Sequence, residues 1–291
     1  MAVKVLLDTD IGSDIDDAFC LAYLLQNAEC DLLGITTVTG QPQKRAMLAS
    51  AICMAAGRDV PIVPGREDPL FVEQKQRSVP QAEALEKWSY EDKFPDEKAS
   101  DFMASVISEH SGEVVVLAVG PLTNVAEMLV KHPEAASQMA GLVCMCGDFP
   151  EGRGPGKAEW NASGDPHATS IVASHRFPFH RWVGLNVTLR TVLEQELLGR
   201  LESKAMGPVR DFAEIWLRAN QRIVLHDPLA AVTIFQPEVC PTKRGWVRVE
   251  ISEKGAATML LPHPNGRHEV ATDLDAGFFY DCFTGVLLGR S

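Results

Sequence analysis

Six short apolar runs rich in Val, Ile and Leu constrain the fold most: VKVLL (3–7), LLGITTV (32–38), VPIV (60–63), EVVVLAV (113–119), GLVCMC (141–146) and RWVGLNV (181–187). Their near-continuous hydrophobicity is that of parallel strands buried on both faces. Several are separated by stretches with helical periodicity: DDAFCLAYLLQNA, KRAMLASAICMAAG closed by Gly57, KASDFMASVISEH, and PLTNVAEMLVKH with Pro121 at a first helical position. Repeated strand-then-helix predicts an α/β fold with right-handed crossovers, an open and mostly parallel twisted sheet flanked by helices. TVLEQELLGRLES, VRDFAEIWLRANQRIVL and HDPLAAVTIF continue with helical patterns. WVRVEIS and ATMLLP alternate like a pair of strands, which predicts a small antiparallel C-terminal element before FFYDCFTGVLL returns to helix. No repeat or linker forces a boundary, so one α/β domain over 1–291 is expected. Segments 64–97 and 151–157 read as functional loops.

The most acidic stretch sits where the first strand ends. LLDTDIGSDIDDAFCLAYLL places Asp8, Asp10, Asp14, Asp16 and Asp17 within ten positions. With VKVLL as a parallel strand, Asp8 and Asp10 lie two apart at its carboxyl end, where open α/β sheets bind ligands. One or two aspartates at the start of the following helix are explained by capping and the helix dipole. Five are not, because their mutual repulsion has to be offset, and a bound cation is the simplest offset. Oxygen donors without nearby His or Cys favour Ca²⁺ or Mg²⁺ over zinc.

Charge and cysteine usage narrow the partners. Lys plus Arg total 27 against 39 Asp plus Glu, a net charge of −12, which argues against nucleic acid or an anionic membrane as partner. No apolar run is long enough to cross a bilayer and the N-terminal segment lacks a secretory pattern, so a cytoplasmic protein acting on a small molecule is expected. Seven scattered cysteines without CxxC spacing read as reduced, buried thiols.

Two further strand-to-helix junctions supply polar residues: AVGPLTNVA, with Thr123, and LHDPLAA, with Asp227. With DTDIGSDIDDA, and with AEWN (158–161) between them, they resemble the nucleoside hydrolases, the inosine and uridine nucleoside N-ribohydrolases and relatives. The four motifs stand in the family's order, and the resemblance spans residues 3 to about 288. It implies calcium-dependent hydrolysis of the N-glycosidic bond of a ribonucleoside and a homodimer or homotetramer. It further implies that Asp10 both ligates Ca²⁺ and activates the water. Asp17, the backbone carbonyl of Thr123 and Asp227 would be the other ligands. Asp16, Met145, Glu159 and Asn161 would line the ribose subsite, and His226 would stand over the leaving base.

The reaction justifies these residue types independently. N-glycoside cleavage passes through an oxocarbenium-like sugar, which calls for nearby negative charge, a nucleophilic water, a held sugar and help for the departing base. Asp14 could take the role given to Asp16 or Asp17, and Asp8 reads as a structural partner. Gln41, the loop RGPGK and Asn186 depart from the family pattern and put substrate identity in question. Two rival readings fit part of the pattern. In a haloacid-dehalogenase-like Mg²⁺ phosphatase Asp8 would be the nucleophile, but Gly12 replaces the expected Thr or Val, and HDP and AEWN stay unexplained. A non-catalytic riboside-binding relative would have little use for Asp10 and His226.

Overall fold

The computed structural model describes residues 2–152, 154–253 and 255–289; Arg153, which falls in the 151–157 loop, and the ends of the 1–291 span lie outside the described residues. Among the described residues eleven strands form in chain order: β1 Val3–Thr9, β2 Cys30–Thr37, β3 Ile62–Pro64, β4 Val114–Ala118, β5 Gly141–Met145, β6 His180–Val183, β7 Val192–Leu193, β8 Ile223–Val224, β9 Thr242–Ser252, β10 Gly255–Pro262 and β11 His268–Ala271. Nine of them make one sheet in the order β10-β9-β11-β6-β5-β4-β1-β2-β3. From β3 to β6 and on to β11 every pairing is parallel, whereas β9 pairs antiparallel with β10 and β11. Helices α1 (Asp16–Gln26), α2 (Pro42–Ala56), α3 (Ala99–Glu109) and α4 (Thr123–Lys131) follow the strand-helix alternation of the sequence.

Burial explains why those runs became central strands. All residues of VVVLA in β4 and of GLVCM in β5 are buried, as are the last five of β1. Two apolar clusters result. One contains Leu7, Phe19, Ile52 and Phe283, the other Leu6, Met103, Met128 and Trp182, so consecutive residues of β1 face different cores. Six cysteines are buried and Cys282 is half-buried, all as free thiols.

Some elements depart from the sequence reading. The run 181–187 splits into β6 and a short helix, Leu185–Thr188, broken at Gly184. TVLEQELLGRLES yields Val192–Leu193 as a strand and only Gln195–Arg200 as helix. VRDFAEIWLRANQRIVL is helical to Leu217 and then supplies Ile223–Val224, which pairs antiparallel with β7. The 64–97 loop holds a 3₁₀ helix, Pro80–Lys87. No described helix is long and apolar enough to cross a membrane.

The strand order places the site. Along β3-β2-β1-β4-β5-β6 the direction of winding reverses at β1, which lies between β2 and β4. Ligands in such sheets occupy the crevice beyond the carboxyl ends of the strands at this switch point.

Candidate active site

Asp10 follows β1, and Val119 follows β4 at the neighbouring strand end; both line one cavity of about 530 Å³. The two strand ends pass close together. A Cβ at Gly120 would stand 3.0 Å from both the backbone nitrogen and Oδ1 of Asp10 and 2.7 Å from Val38, so only glycine fits there. Gly12, at φ +113, turns the chain from Asp10 toward α1.

That turn brings four of the five aspartates to the cavity. Asp10, Asp14, Asp16 and Asp17 line it, together with Asp227 from the start of the helix His226–Phe235. Asp16, Asp17 and Asp227 are buried and each offers a carboxylate oxygen within 4.8 Å of the others. Capping does not account for them: the position before α1 is Ile15, with no side-chain cap. The hydroxyl of Thr9 donates to Asp17 Oδ1, and the backbone N–H of Asp227 donates to Asp16 Oδ2 at 3.2 Å.

Packing so many carboxylates together raises all their pKa values. Burial is the largest cause throughout, and the neighbouring carboxylates add to it: Asp16, Asp17 and Asp227 are pushed well above the usual range. Asp10 rises to about 6 through burial, partly opposed by the Arg45 guanidinium, and Asp14 to about 6 through burial and the charge of Asp10. Arg45, fully buried, donates through Nη1 to the carbonyls of Asp10 and Ile11 and to Ser13 Oγ, and through Nε to the Gly40 carbonyl. Its hydrogen bonds therefore go to the backbone and Ser13 of the carboxylate-bearing loop and to Gly40, none to a carboxylate, and the negative charge of the cluster still calls for a cation. An all-oxygen donor set fits a hard divalent ion.

The opposite wall comes from β5 and the helix Trp160–Gly164. Asn161 Nδ2 donates to the carbonyls of Val119 at 2.7 Å and Met145 at 2.9 Å, so the amide nitrogen is spent on two strand ends and Oδ1 is the free acceptor. Glu159 caps its helix: Oε1 accepts from Asn161 N at 2.7 Å, and Oε2 from Ala162 N and Gly147 N at 2.8 Å. Burial lifts it to about 7 against those hydrogen bonds. His226 Nδ1 pairs with Thr188 Oγ1 at 2.7 Å, and burial, with Arg222, pushes the imidazole down to about 4.

The structure thus brings Asp10, Asp16, Asp17, Met145, Glu159, Asn161, His226 and Asp227 to one cavity. It does not bring Thr123 there. Thr123 opens α4 and its hydroxyl donates to Asp165 Oδ2 at 2.9 Å; Val119, four residues earlier, is the residue from that strand end that lines the cavity. Asp8 lies below the cavity, its Oδ1 accepting from Thr36 Oγ1 at 2.7 Å and Asn124 Nδ2 at 2.8 Å. Gln41 and Asn186 are also outside it, hydrogen-bonded to the carbonyls of Arg77 and Ala271 respectively. Sequence reasoning overlooked Ser13, Gln76, Val119 and Arg45. Val119 carried a usable signal, as the last residue of an apolar run before Gly-Pro; Arg45 and Gln76 carried none.

Known proteins match the chain over nearly its whole length. The family model of the inosine-uridine preferring nucleoside hydrolases matches residues 5–281. Uridine nucleosidase 1 of Arabidopsis thaliana is 31% identical over 273 residues, covering 85% of this chain and 78% of the relative. The inosine-uridine preferring nucleoside hydrolase of Crithidia fasciculata is 27% identical, covering 99% and 97%. Among solved structures, a plant nucleoside hydrolase superposes with a TM-score of 0.85 at 25% identity over 99% of both chains. A cavity walled by carboxylates at the switch point of such a sheet, together with these matches, shows that the chain belongs to the inosine-uridine preferring nucleoside hydrolase family and is a hydrolase of N-glycosyl bonds.

Proposed function

We propose that the protein hydrolyses the N-glycosidic bond of ribonucleosides, releasing ribose and free base, with Ca²⁺ held by Asp10, Asp17, Asp227 and one backbone carbonyl. The observation that carries this reading is the convergence of buried carboxylates from two separated loops on one cavity that also holds His226. Val119 is preferred to Thr123 for the carbonyl, because Val119 lines the cavity and Thr123 does not. When bound, the ion would offset the carboxylate repulsion and polarise a water.

The remaining work falls to the chain's own side chains. Asp10 accepts the proton of the attacking water, a role its place at the end of β1 on the cavity wall allows. Asp16, with Oδ2 already engaged by Asp227 N, and Asn161, with Oδ1 free, hold ribose hydroxyls. The carboxylates around the sugar stabilise the positive charge that develops on it. A Thr188 hydroxyl donating to His226 Nδ1 leaves the ring proton on Nε2, directed to the departing base. The same reading makes the protein a cytoplasmic homodimer or homotetramer, which sizing in solution checks.

A panel of ribonucleosides, uridine and inosine included, assayed for free base tests the proposal. Base release from at least one member is expected. Tight binding of nucleosides without release would favour the non-catalytic reading, and release of phosphate from phosphomonoesters would favour the phosphatase.

A further inference from the structure

The cavity does not end at Glu159. A second cavity of about 310 Å³ adjoins it, and Gln76, Ala158, Glu159 and Trp160 line both. Of these four only Glu159 is buried; Ala158 and Trp160 are exposed and Gln76 is half-buried. The divide between the two is therefore a rim of side chains at the surface rather than a packed partition. His226, Trp216 and the aspartates line only the first cavity, so the second lies on the side away from the leaving base.

Resting on the nucleoside-hydrolysis reading, we propose that this adjoining cavity receives an uncharged substituent on C5′ of the ribose, which extends the substrate class to 5′-substituted ribonucleosides. A furanose carries its base on C1′ and its C5′ arm on C4′, on opposite sides of the ring oxygen. With C1′ set between Asp10 and His226 and the ring hydroxyls held by Asp16 and Asn161, the C5′ arm is in this proposal directed to Glu159 and the shared rim.

The hydrogen bonding of that rim agrees. Three backbone N–H groups engage Glu159, two on Oε2 and one on Oε1, which leaves one acceptor site, on Oε1, for the sugar and none for a substituent beyond it. Inside the second cavity the hydroxyl of Thr39 is paired with Gln74, and that of Ser163 with the backbone of Ala256, while Pro121 and Trp160 add apolar surface. Lys75 is the one Lys or Arg among its described lining residues, and it is exposed. Beside a cluster of carboxylates, such a chamber favours a neutral group over a phosphate.

The test compares kcat/KM for inosine and uridine with that for their 5′-deoxy-5′-methylthio and 5′-monophosphate derivatives. The expected result is that the methylthio compounds are cleaved within about threefold of the parents or better, and the monophosphates at least about tenfold worse. Ser163→Leu, which narrows the chamber, should lower the methylthio rate at least about tenfold and leave the parent within about threefold. Lys75→Trp, at another lining position, should do the same if Ser163→Leu fails to fold. Cleavage of the parents with rejection of the methylthio compounds by about 100-fold overturns the inference and leaves the hydrolase reading intact. So does equal loss on both substrates in the two variants, or preference for the monophosphates. Cleavage of none of the compounds overturns both.

Discussion

His226 Nδ1 pairs with Thr188 Oγ1 and burial pushes the imidazole down to about 4, so it is neutral at pH 7; in the proposed mechanism the Thr188 hydroxyl donates to Nδ1 and Nε2–H is left for the leaving base. Purine and pyrimidine anions leave poorly, whereas p-nitrophenolate leaves without assistance. His226→Ala is expected to slow cleavage of a natural nucleoside by about 10²-fold or more, and of a p-nitrophenyl riboside much less. Steady-state rates on both substrates check this; equal losses with bound calcium unchanged would reduce His226 to a positioning role. At this scale the place of the aspartates at the cavity was legible because clustered charge in an apolar context has few structural explanations, and that of His226 because it stands beside Asp227 at a helix start. Thr123 was chosen from a motif that marks a junction without saying which residue of the turn faces the cavity. Here the one before Gly120 does.

At the scale of elements, Arg45 ties the loop between β1 and α1 to the turn preceding α2, satisfying carbonyls of Asp10, Ile11 and Gly40 at once. Arg45→Ala leaves those buried acceptors unpaired and removes the cation closest to the cluster, so destabilisation of about 3–5 kcal/mol is expected in urea unfolding, with activity lost in parallel. A change below about 1 kcal/mol would show that the loop holds its shape without the clamp. Nothing in KRAMLASAICMAAG singled Arg45 out, because a helical pattern shows which face is buried and not that an arginine on it finds carbonyls. The long strands were legible from their apolar runs. The β7/β8 pair was not, since two residues carry no periodicity and the pairing of Val192 with Val224 spans two helices.

For the whole molecule, the strand order that sets Asp10 beside Val119 was beyond the sequence, because the same alternation of strands and helices is compatible with several orders. The core carries its own titration. His180 is fully buried beside Trp182 and His268, at ring separations of 5.0 Å. Burial, with His268 and Arg267, holds its pKa well below the usual value, and His268 itself lies at about 4. The unfolded chain therefore binds protons that the native state refuses. The resulting stability is present above about pH 6.5 and lost as pH falls toward 4. His180→Phe should flatten the fall in unfolding free energy between pH 7 and 5 by roughly 1–2 kcal/mol, read from urea titrations at the two pH values. An unchanged slope would remove His180 from that account.

The central claim, that the buried carboxylates form a cation-loaded hydrolytic centre, is tested most directly by base release from inosine and uridine after chelator treatment and stepwise return of calcium. The predicted result is loss of turnover on stripping and its full recovery at about one equivalent of Ca²⁺ per chain. Turnover that persists without any divalent ion, or that returns with zinc and not with calcium, would contradict it.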